Sequence, residues 1–487
     1  MGDSRRASKT QMKNIEKVVE SQTRLIRFMG IILLSLFLTY LVKDETFGDA
    51  QVYVLFLLFF SIGLWITEAI PPFAVGILIV GFLVFFLGQP GLEDQNIDVQ
   101  EFVNTWSDSV IWLLLGGFFL AEGLKKTGID TEVFKVVTVR FGANPKNMLL
   151  VLMLATACIS MIMSNTATTA MMIAALLPLI TSLGSNNGLS KSLLLGIPAA
   201  ASIGGMGTII GSPPNAIAVD MLNRMENIPV KIGFLNWMIL GMPVAILLVI
   251  IFWMILQRKY EIPNQVDLSS LNKTAELGED GQPIDPVQYM GKWNQQKVMY
   301  IVLATTVLLW LTDGLHPIPM AAVSGIPIIV LTMMNIIGAE EVRSLPWDTL
   351  MLVAGGLSLG LAIQETGLMD YFLAQLQHVQ MPAALLIIAF AGITVFSSNI
   401  MSNTAAAAIL IPAAGLWEGV DPIVLPLIIG LSASCALFLP VSTPPNAISY
   451  STGLLDQKEF RLGGITIGML GPILVTMWVL LVVKVIF

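Results

Sequence analysis

The chain has 487 residues, 55% of them hydrophobic and 12% charged, with a formal net charge of −8 and a mean hydropathy of +0.80. Soluble domains run to about 45–50% apolar and about 25% charged residues, so these proportions exclude a water-soluble protein and describe an all-α, polytopic membrane protein. No nucleic-acid partner is implied.

The first 27 residues are polar and hold Arg5, Arg6, Lys9, Lys13, Lys17, Arg24 and Arg27. An apolar run from Phe28 to Val42 follows, and Lys43 and Asp44 stand where a signal peptide would have a small-residue cleavage site. The pattern predicts a cytoplasmic basic arm over 1–27 and a first transmembrane helix over 28–44. Further spans are expected at about 51–69, 72–88, 108–125, 192–222, 235–257, 297–312, 318–337, 348–366, 424–452 and 463–487, which makes eleven with the first. Two apolar stretches remain, about 147–182 and 382–416, each with Ser-Asn-Thr near its centre.

Basic residues test this topology, because cytoplasmic loops are enriched in Lys and Arg. With the N-terminus inside, 21 of the 25 fall inside, and only Lys43, Arg224, Lys231 and Lys484 fall outside. The split supports eleven crossings with an outside C-terminus, provided each remaining stretch returns to the side it left. Met148 to Met163 is 16 residues, about 24 Å of helix, whereas a hydrocarbon core of about 30 Å needs close to 20 residues. Re-entrant hairpins with polar tips are therefore expected.

Ordered motifs recur along the chain. Trp65-Ile-Thr-Glu68 with Pro72 matches Trp310-Leu-Thr-Asp313 with Pro317, and Gly116-Gly117 with Thr127-Gly128 matches Gly355-Gly356 with Thr366-Gly367, at offsets of 245 and 239. Met163-Ser-Asn-Thr-Ala167 matches Met401-Ser-Asn-Thr-Ala405 at 238, and Pro213-Pro-Asn-Ala-Ile217 matches Pro444-Pro-Asn-Ala-Ile448 at 231. Repeat 1 then covers 45–257 and repeat 2 covers 297–487, with 258–296 a polar cytoplasmic linker. Five crossings and one hairpin per repeat make the second copy inverted, the signature of a secondary transporter.

The repeated motifs are polar groups inside apolar segments, and such groups must face protein, water or ligand. Ser, Asn and Thr at each tip suit the N-cap of a following helix, expected at Ala167 to Leu179 and Ala405 to Ile411. Ser212-Pro213 and Thr443-Pro444 read as a capping hydroxyl followed by proline at the first helical position, so both spans are expected to be broken. Four helix N-termini at roughly +0.5 each give on the order of +2 of partial charge, which suits a dianion. No Lys or Arg lies in these segments to serve instead. Unwound carbonyls with Ser and Asn oxygens suit sodium, and Ser160 and Ser398, four residues before the tip serines, add one oxygen per site.

The remaining features read as packing. The Gly-Gly pairs suit close helix contacts, and Glu68, Asp313, Glu122 and Glu365 suit capping or snorkelling. The 26 methionines suit core filling, and Cys158 and Cys435 read as buried packing residues. Two isolated histidines, His316 and His378, make no metal cluster. No nucleophile–base pair is visible, so an enzyme is not expected.

At these motifs the chain resembles the divalent anion/sodium symporter family, and the resemblance extends over nearly the whole chain after the basic arm. It implies a homodimer with a fixed scaffold domain and a transport domain that moves like an elevator. Carried over, Asn165, Thr166, Asn403 and Thr404 would bind substrate carboxylates, with Ser212, Thr443 and Pro444 alongside. One sodium ion would sit by Ser160, Ser164, Asn165 and the Gly211 carbonyl, the other by Ser398, Asn403 and the carbonyls near Met401 and Ser442. Ser398 and Ser442 depart from the family's common residues but keep the oxygens. The expected function is sodium-coupled symport of C4-dicarboxylates such as succinate, fumarate and malate across a bacterial inner membrane. The alternatives are a sodium-independent dicarboxylate exchanger, or a transporter of another divalent anion such as sulfate.

Overall fold

The computed structural model describes residues 2–89, 97–129, 132, 144–225, 231–263, 286–376, 382–414, 417 and 420–486, with the backbone alone for 2–21, 286–293, 373, 376 and 486. Lys135, Arg140, His378, most of the linker and the end of the second hairpin stretch lie outside these residues. Among the described residues all regular structure is helical. In chain order the helices are α1 (Gly2–Val42), α2 (Asp49–Thr67), α3 (Pro72–Leu87), α4 (Val99–Asn104), α5 (Ser109–Thr127), α6 (Pro145–Ser160) and α7 (Asn165–Leu183). Then follow α8 (Gly188–Gly204), α9 (Pro213–Arg224), α10 (Phe234–Lys259), α11 (Pro286–Leu311), α12 (Met320–Val323), α13 (Gly325–Met333) and α14 (Ala339–Ser344). The last are α15 (Trp347–Glu365), α16 (Leu368–Leu376), α17 (Ala383–Ile400), α18 (Asn403–Ala414), α19 (Val424–Ser432), α20 (Pro444–Ser451) and α21 (Arg461–Ile486).

Nine described helical segments are long and apolar enough to cross a membrane. The chain is a multi-pass membrane protein. The basic arm and first span form one continuous helix, α1. Helix α11 likewise begins at Pro286, inside the segment expected as linker. The helix ends follow local chemistry. Asp108, Asn144 and Asn187 cap α5, α6 and α8 by accepting from backbone N–H groups two residues on. Gly128, at φ 71°, closes α5 in the left-handed conformation that glycine adopts without strain.

The helices fall into two compact units, one built from α1–α4 with α15 and α16, the other from α5–α14 and α17–α21. In the first, a methyl on Gly355 would stand 2.2 Å from Gly76 Cα, so α3 and α15 touch backbone to backbone. The hydroxyls of Thr105 and Ser358 hydrogen-bond at 2.8 Å beside that contact. In the second, a methyl on Gly116 would lie 2.6 Å from Ser324 Cβ, and one on Gly204 2.5 Å from Ala157 Cα. Both Gly-Gly pairs thus serve close packing.

Helix α8 is the core of the second unit: 94% of its apolar window is buried, and it packs on α6, α7, α10 and α20. At its start, Lys191 pairs with Glu459 at 3.0 Å, and the Tyr260 hydroxyl donates to the other Glu459 oxygen at 2.5 Å. Asp313 accepts from the Phe234 N–H at the start of α10, a capping role. Cys435 is buried, but Cys158 is exposed because it lies off the buried Leu149, Met153, Thr156 and Ser160 stripe of α6.

Candidate functional site

The Ser-Asn-Thr tips and the Pro-Pro-Asn-Ala breaks of both copies belong to the second unit. Helices α6 and α7 form the first hairpin, joined by a turn at 161–164. Helix α7 begins at Asn165, two residues earlier than expected, and the cap is Ser164, whose Oγ accepts from Ala167 N at 3.2 Å. The second hairpin, α17 and α18, repeats this with Ser402 Oγ accepting from Ala405 N at 3.1 Å. The serine takes the cap because its short hydroxyl reaches the third amide, which frees the following Asn and Thr to point elsewhere.

Both expected breaks are present. Helix α8 ends in a 3-10 turn, Gly205–Gly207, and α9 starts afresh at Pro213. Helix α19 ends in Ala433–Cys435, and α20 starts at Pro444. Thr443 caps α20 by accepting from Asn446 N at 3.4 Å. Ser212 makes no such bond, contrary to expectation. Asn215 Nδ2 instead donates to the carbonyls of Gly205 and Thr208, at 2.8 and 2.7 Å, and closes the loop from inside. Asn446 Nδ2 does the same to Leu437 and Leu439, at 3.4 and 3.1 Å.

The residues expected at the first sodium site converge. Ser160 Oγ lies 2.6 Å from Asn165 Oδ1 and 2.8 Å from the Ala201 carbonyl. A methyl on Gly205 would stand 2.5 Å from Asn165 Oδ1 and 3.0 Å from the Gly211 carbonyl oxygen, which brings those groups to one point. In the second copy, Ser398 Oγ and Asn403 Oδ1 are buried and accept or donate no hydrogen bond. Buried oxygens without donors are the chemistry that a hard cation completes. Met401 and Ser442 are both buried.

The residues expected to take the anion are electrically neutral. Thr166 and Pro444 are exposed, Asn165 and Asn403 half-buried, and Ser212, Thr404 and Thr443 buried. The tip and break helices pack crosswise: α7 lies against α20, and α9 against α18 and α19. Each copy's tip helix thus rests on the other copy's break helix.

A separate cavity of about 360 Å³ lies between α5, the end of α9 and residues 313–321. Asp220, Asp313 and His316 line it, and no residue of the tip or break motifs does. Asp220 is held by Arg224 at 2.8 Å, and Arg224 also reaches Asp108.

Four residues in the site's framework went unassigned from sequence. Asn215 and Asn446 stand in the repeated Pro-Pro-Asn-Ala motifs, a usable signal. Thr208 and Asn399 have no matching residue in the other copy, so motif comparison passes over them.

Residues 62–416 match the model of the CitMHS family, described as citrate transporter. A protein of Staphylococcus aureus strain USA300 named sodium-dependent dicarboxylate transporter SdcS is 30% identical over 471 residues, 89% of this chain and 86% of that one. Its namesake in Staphylococcus saprophyticus is 29% identical over 90% of this chain and 87% of that one. Among solved structures, MtrF of Neisseria gonorrhoeae aligns with a TM-score of 0.56 at 14% identity, over 86% of this chain and 96% of that one. YdaH of Alcanivorax borkumensis aligns at 0.51 and 12%, over 84% and 97%. Those two likenesses concern the fold alone. The chain belongs to the citrate transporter family and, with its paired tip and break motifs, to the divalent anion/sodium symporters: it is a transporter, not an enzyme.

Proposed function

We propose that this protein is a sodium-coupled symporter of C4-dicarboxylates, such as succinate, fumarate and malate, in a bacterial inner membrane. The observation that carries the reading is the pair of neutral, oxygen-rich sites at helix N-termini, in which Ser398 and Asn403 hold buried oxygens with no donor. The names of the staphylococcal relatives support sodium and dicarboxylate as the cargo. In this reading Asn165, Thr166, Asn403 and Thr404 take the carboxylates, with Ser212, Thr443 and Pro444 beside them. Sodium occupies one site at Ser160, Ser164, Asn165 and Gly211, and a second at Ser398, Met401, Asn403 and Ser442. The repeats are inverted, the two motif hairpins are re-entrant among eleven crossings, and the N-terminus is cytoplasmic. A homodimer in lipid carries a scaffold and a mobile domain that works as an elevator. Sodium binding orders the tips, and the dianion then balances the charge of the loaded site.

The test is uptake of labelled succinate into proteoliposomes without internal substrate, under an inward sodium gradient and with potassium in its place. Accumulation that needs sodium is expected, and Asn165→Ala and Thr404→Ala should each abolish it at unchanged expression. Uptake indifferent to sodium that starts only after internal dicarboxylate is supplied would replace symport with exchange. Wild-type uptake in both variants would remove these residues from the site.

A further inference from the structure

The hairpins and breaks are fastened to each other by side chains that the repeated motifs do not include. In the first copy, the Thr208 hydroxyl donates to the Met161 carbonyl, 47 residues away, at the end of α6. The same oxygen accepts from Gly211 N at 3.1 Å. A turn threonine commonly accepts from an amide three residues on, but local turn chemistry does not require the long reach to Met161. Thr208 therefore links the hairpin to Gly211, the residue whose carbonyl faces the first cation site.

The second copy makes the link from the opposite direction. At the offset of 238 that aligns the tips, Met161 corresponds to Asn399, and at the offset of 231 that aligns the breaks, Thr208 corresponds to Leu439. Neither residue type is kept, yet the link is. Asn399 Oδ1 accepts from Phe438 N at 2.9 Å and from Ser442 Oγ at 2.8 Å. Ser442 Oγ in turn accepts from Leu439 N at 2.7 Å, and Ser442 corresponds to Gly211. In one copy the break supplies the side chain and the hairpin the backbone; in the other the hairpin supplies the side chain, and the break supplies a backbone N–H and the Ser442 hydroxyl. Two different solutions at matched positions argue that the link itself is what both copies need.

We infer that Thr208 and Asn399 are positioning residues, each of which fastens a hairpin tip to its own broken span and so sets the sodium affinity of that copy's site. Neither side chain is a proposed ligand for sodium or substrate. Thr208 acts through the Gly211 N–H and Asn399 through the Phe438 N–H and the Ser442 hydroxyl, and loss of either link lets the ligand oxygens of tip and break drift apart. The inference rests on the sodium reading above.

The experiment measures initial uptake of labelled succinate by the full-length protein in proteoliposomes, first against sodium at saturating succinate, then against succinate at saturating sodium. Thr208→Val keeps the shape and removes the hydroxyl, and Asn399→Leu removes the amide. Each should raise the half-saturating sodium concentration about tenfold, the scale of one lost hydrogen bond. The maximal rate and the succinate KM at saturating sodium should stay within about twofold, and Thr208→Ser should restore the wild-type sodium curve. Wild-type sodium curves in both variants, or a rise in succinate KM with no sodium shift, would overturn the inference, as would failure of Thr208→Ser to rescue. A variant too unstable to reconstitute is read in detergent by the gain in melting temperature on exchange of potassium for sodium. A reduced gain supports the inference and a full gain overturns it. Wild-type uptake that ignores sodium overturns the sodium reading and this inference together, whereas sodium-dependent wild type with unshifted variants overturns this inference alone.

Discussion

Ser160 and Ser398 occupy the same place in the two motif copies, four residues before the tip serine, yet they meet different surroundings. Ser160 Oγ is shared between Asn165 Oδ1 and the Ala201 carbonyl, and Ser398 Oγ is buried with no partner. Leaving a buried polar group unpaired costs about 1–3 kcal/mol. Ser160→Ala leaves Asn165 Oδ1 without its donor, although the Ala201 carbonyl keeps the Gly205 N–H, and Ser398→Ala removes an unpaired hydroxyl. In potassium, Ser160→Ala should therefore destabilise the protein by about 1–3 kcal/mol, and Ser398→Ala should leave it unchanged or raise its melting temperature. In sodium, both should lose part of the wild-type gain. Thermal unfolding in detergent in the two salts checks this, and equal destabilisation by both variants in potassium would refute it. The sequence announces both serines through their spacing. It does not announce the difference between them, because that difference lies in which carbonyl of a distant helix faces each hydroxyl.

At the level of elements, the breaks at Pro213 and Pro444 were legible because proline fixes φ and lacks an N–H wherever it occurs. The caps were only partly legible. Ser212 and Thr443 look alike in sequence, but only Thr443 caps its helix, while Asn215 holds the first break from within. Hairpin arm length was less legible still. Helix α7 runs 19 residues and α17 runs 18, both long enough to span, whereas α6 and α18 have 16 and 12. Composition cannot place those ends, since α7 continues through Thr181 and Ser182 by back-bonding their hydroxyls to Leu177 and Leu179.

Another element contact is invisible in sequence and has a pH signature. Lys126 at the end of α5 pairs with Glu341 in α14, and Glu341 also accepts from Gly338 N at 2.8 Å, which caps that helix. The Lys126 hydrogen bond, then the backbone bond, brings the Glu341 carboxyl down to about 2 from an ordinary 4.5. A depressed carboxylate stabilises the folded state fully above its unfolded pKa and loses that effect as pH falls from about 4.5 toward about 2. Glu341→Gln should therefore be less stable than wild type at pH 7, with the gap closing across that window. Melting curves of the two proteins between pH 7 and pH 3 measure it, and a gap independent of pH would show that the ion pair is not its source.

Over the whole molecule, chain order and compactness part ways. Repeated motifs divide the sequence near its middle, but the compact units do not follow that division: one combines α1–α4 with α15 and α16. Motif spacing reveals which segments are copies and says little about which copies pack together, because packing is decided by helix faces that meet only after folding. The crosswise contacts of α7 with α20 and of α9 with α18 and α19 are the clearest instance. They bind each copy's tip to the other copy's break, so these helices should move as one body during transport. Ala218 in α9 and Gly430 in α19 allow a direct test, since a methyl on Gly430 would lie 3.0 Å from Ala218 Cβ. Disulfides have Cβ atoms about 3.5–4.5 Å apart, so a few tenths of an ångström of movement admits one. Ala218→Cys with Gly430→Cys, in a chain whose Cys158 and Cys435 are replaced by serine and alanine, should cross-link under mild oxidant and keep its succinate uptake. Uptake lost on oxidation and regained with reductant would mean that α9 and α19 separate in every cycle, and the two copies would then have to work as moving parts against each other.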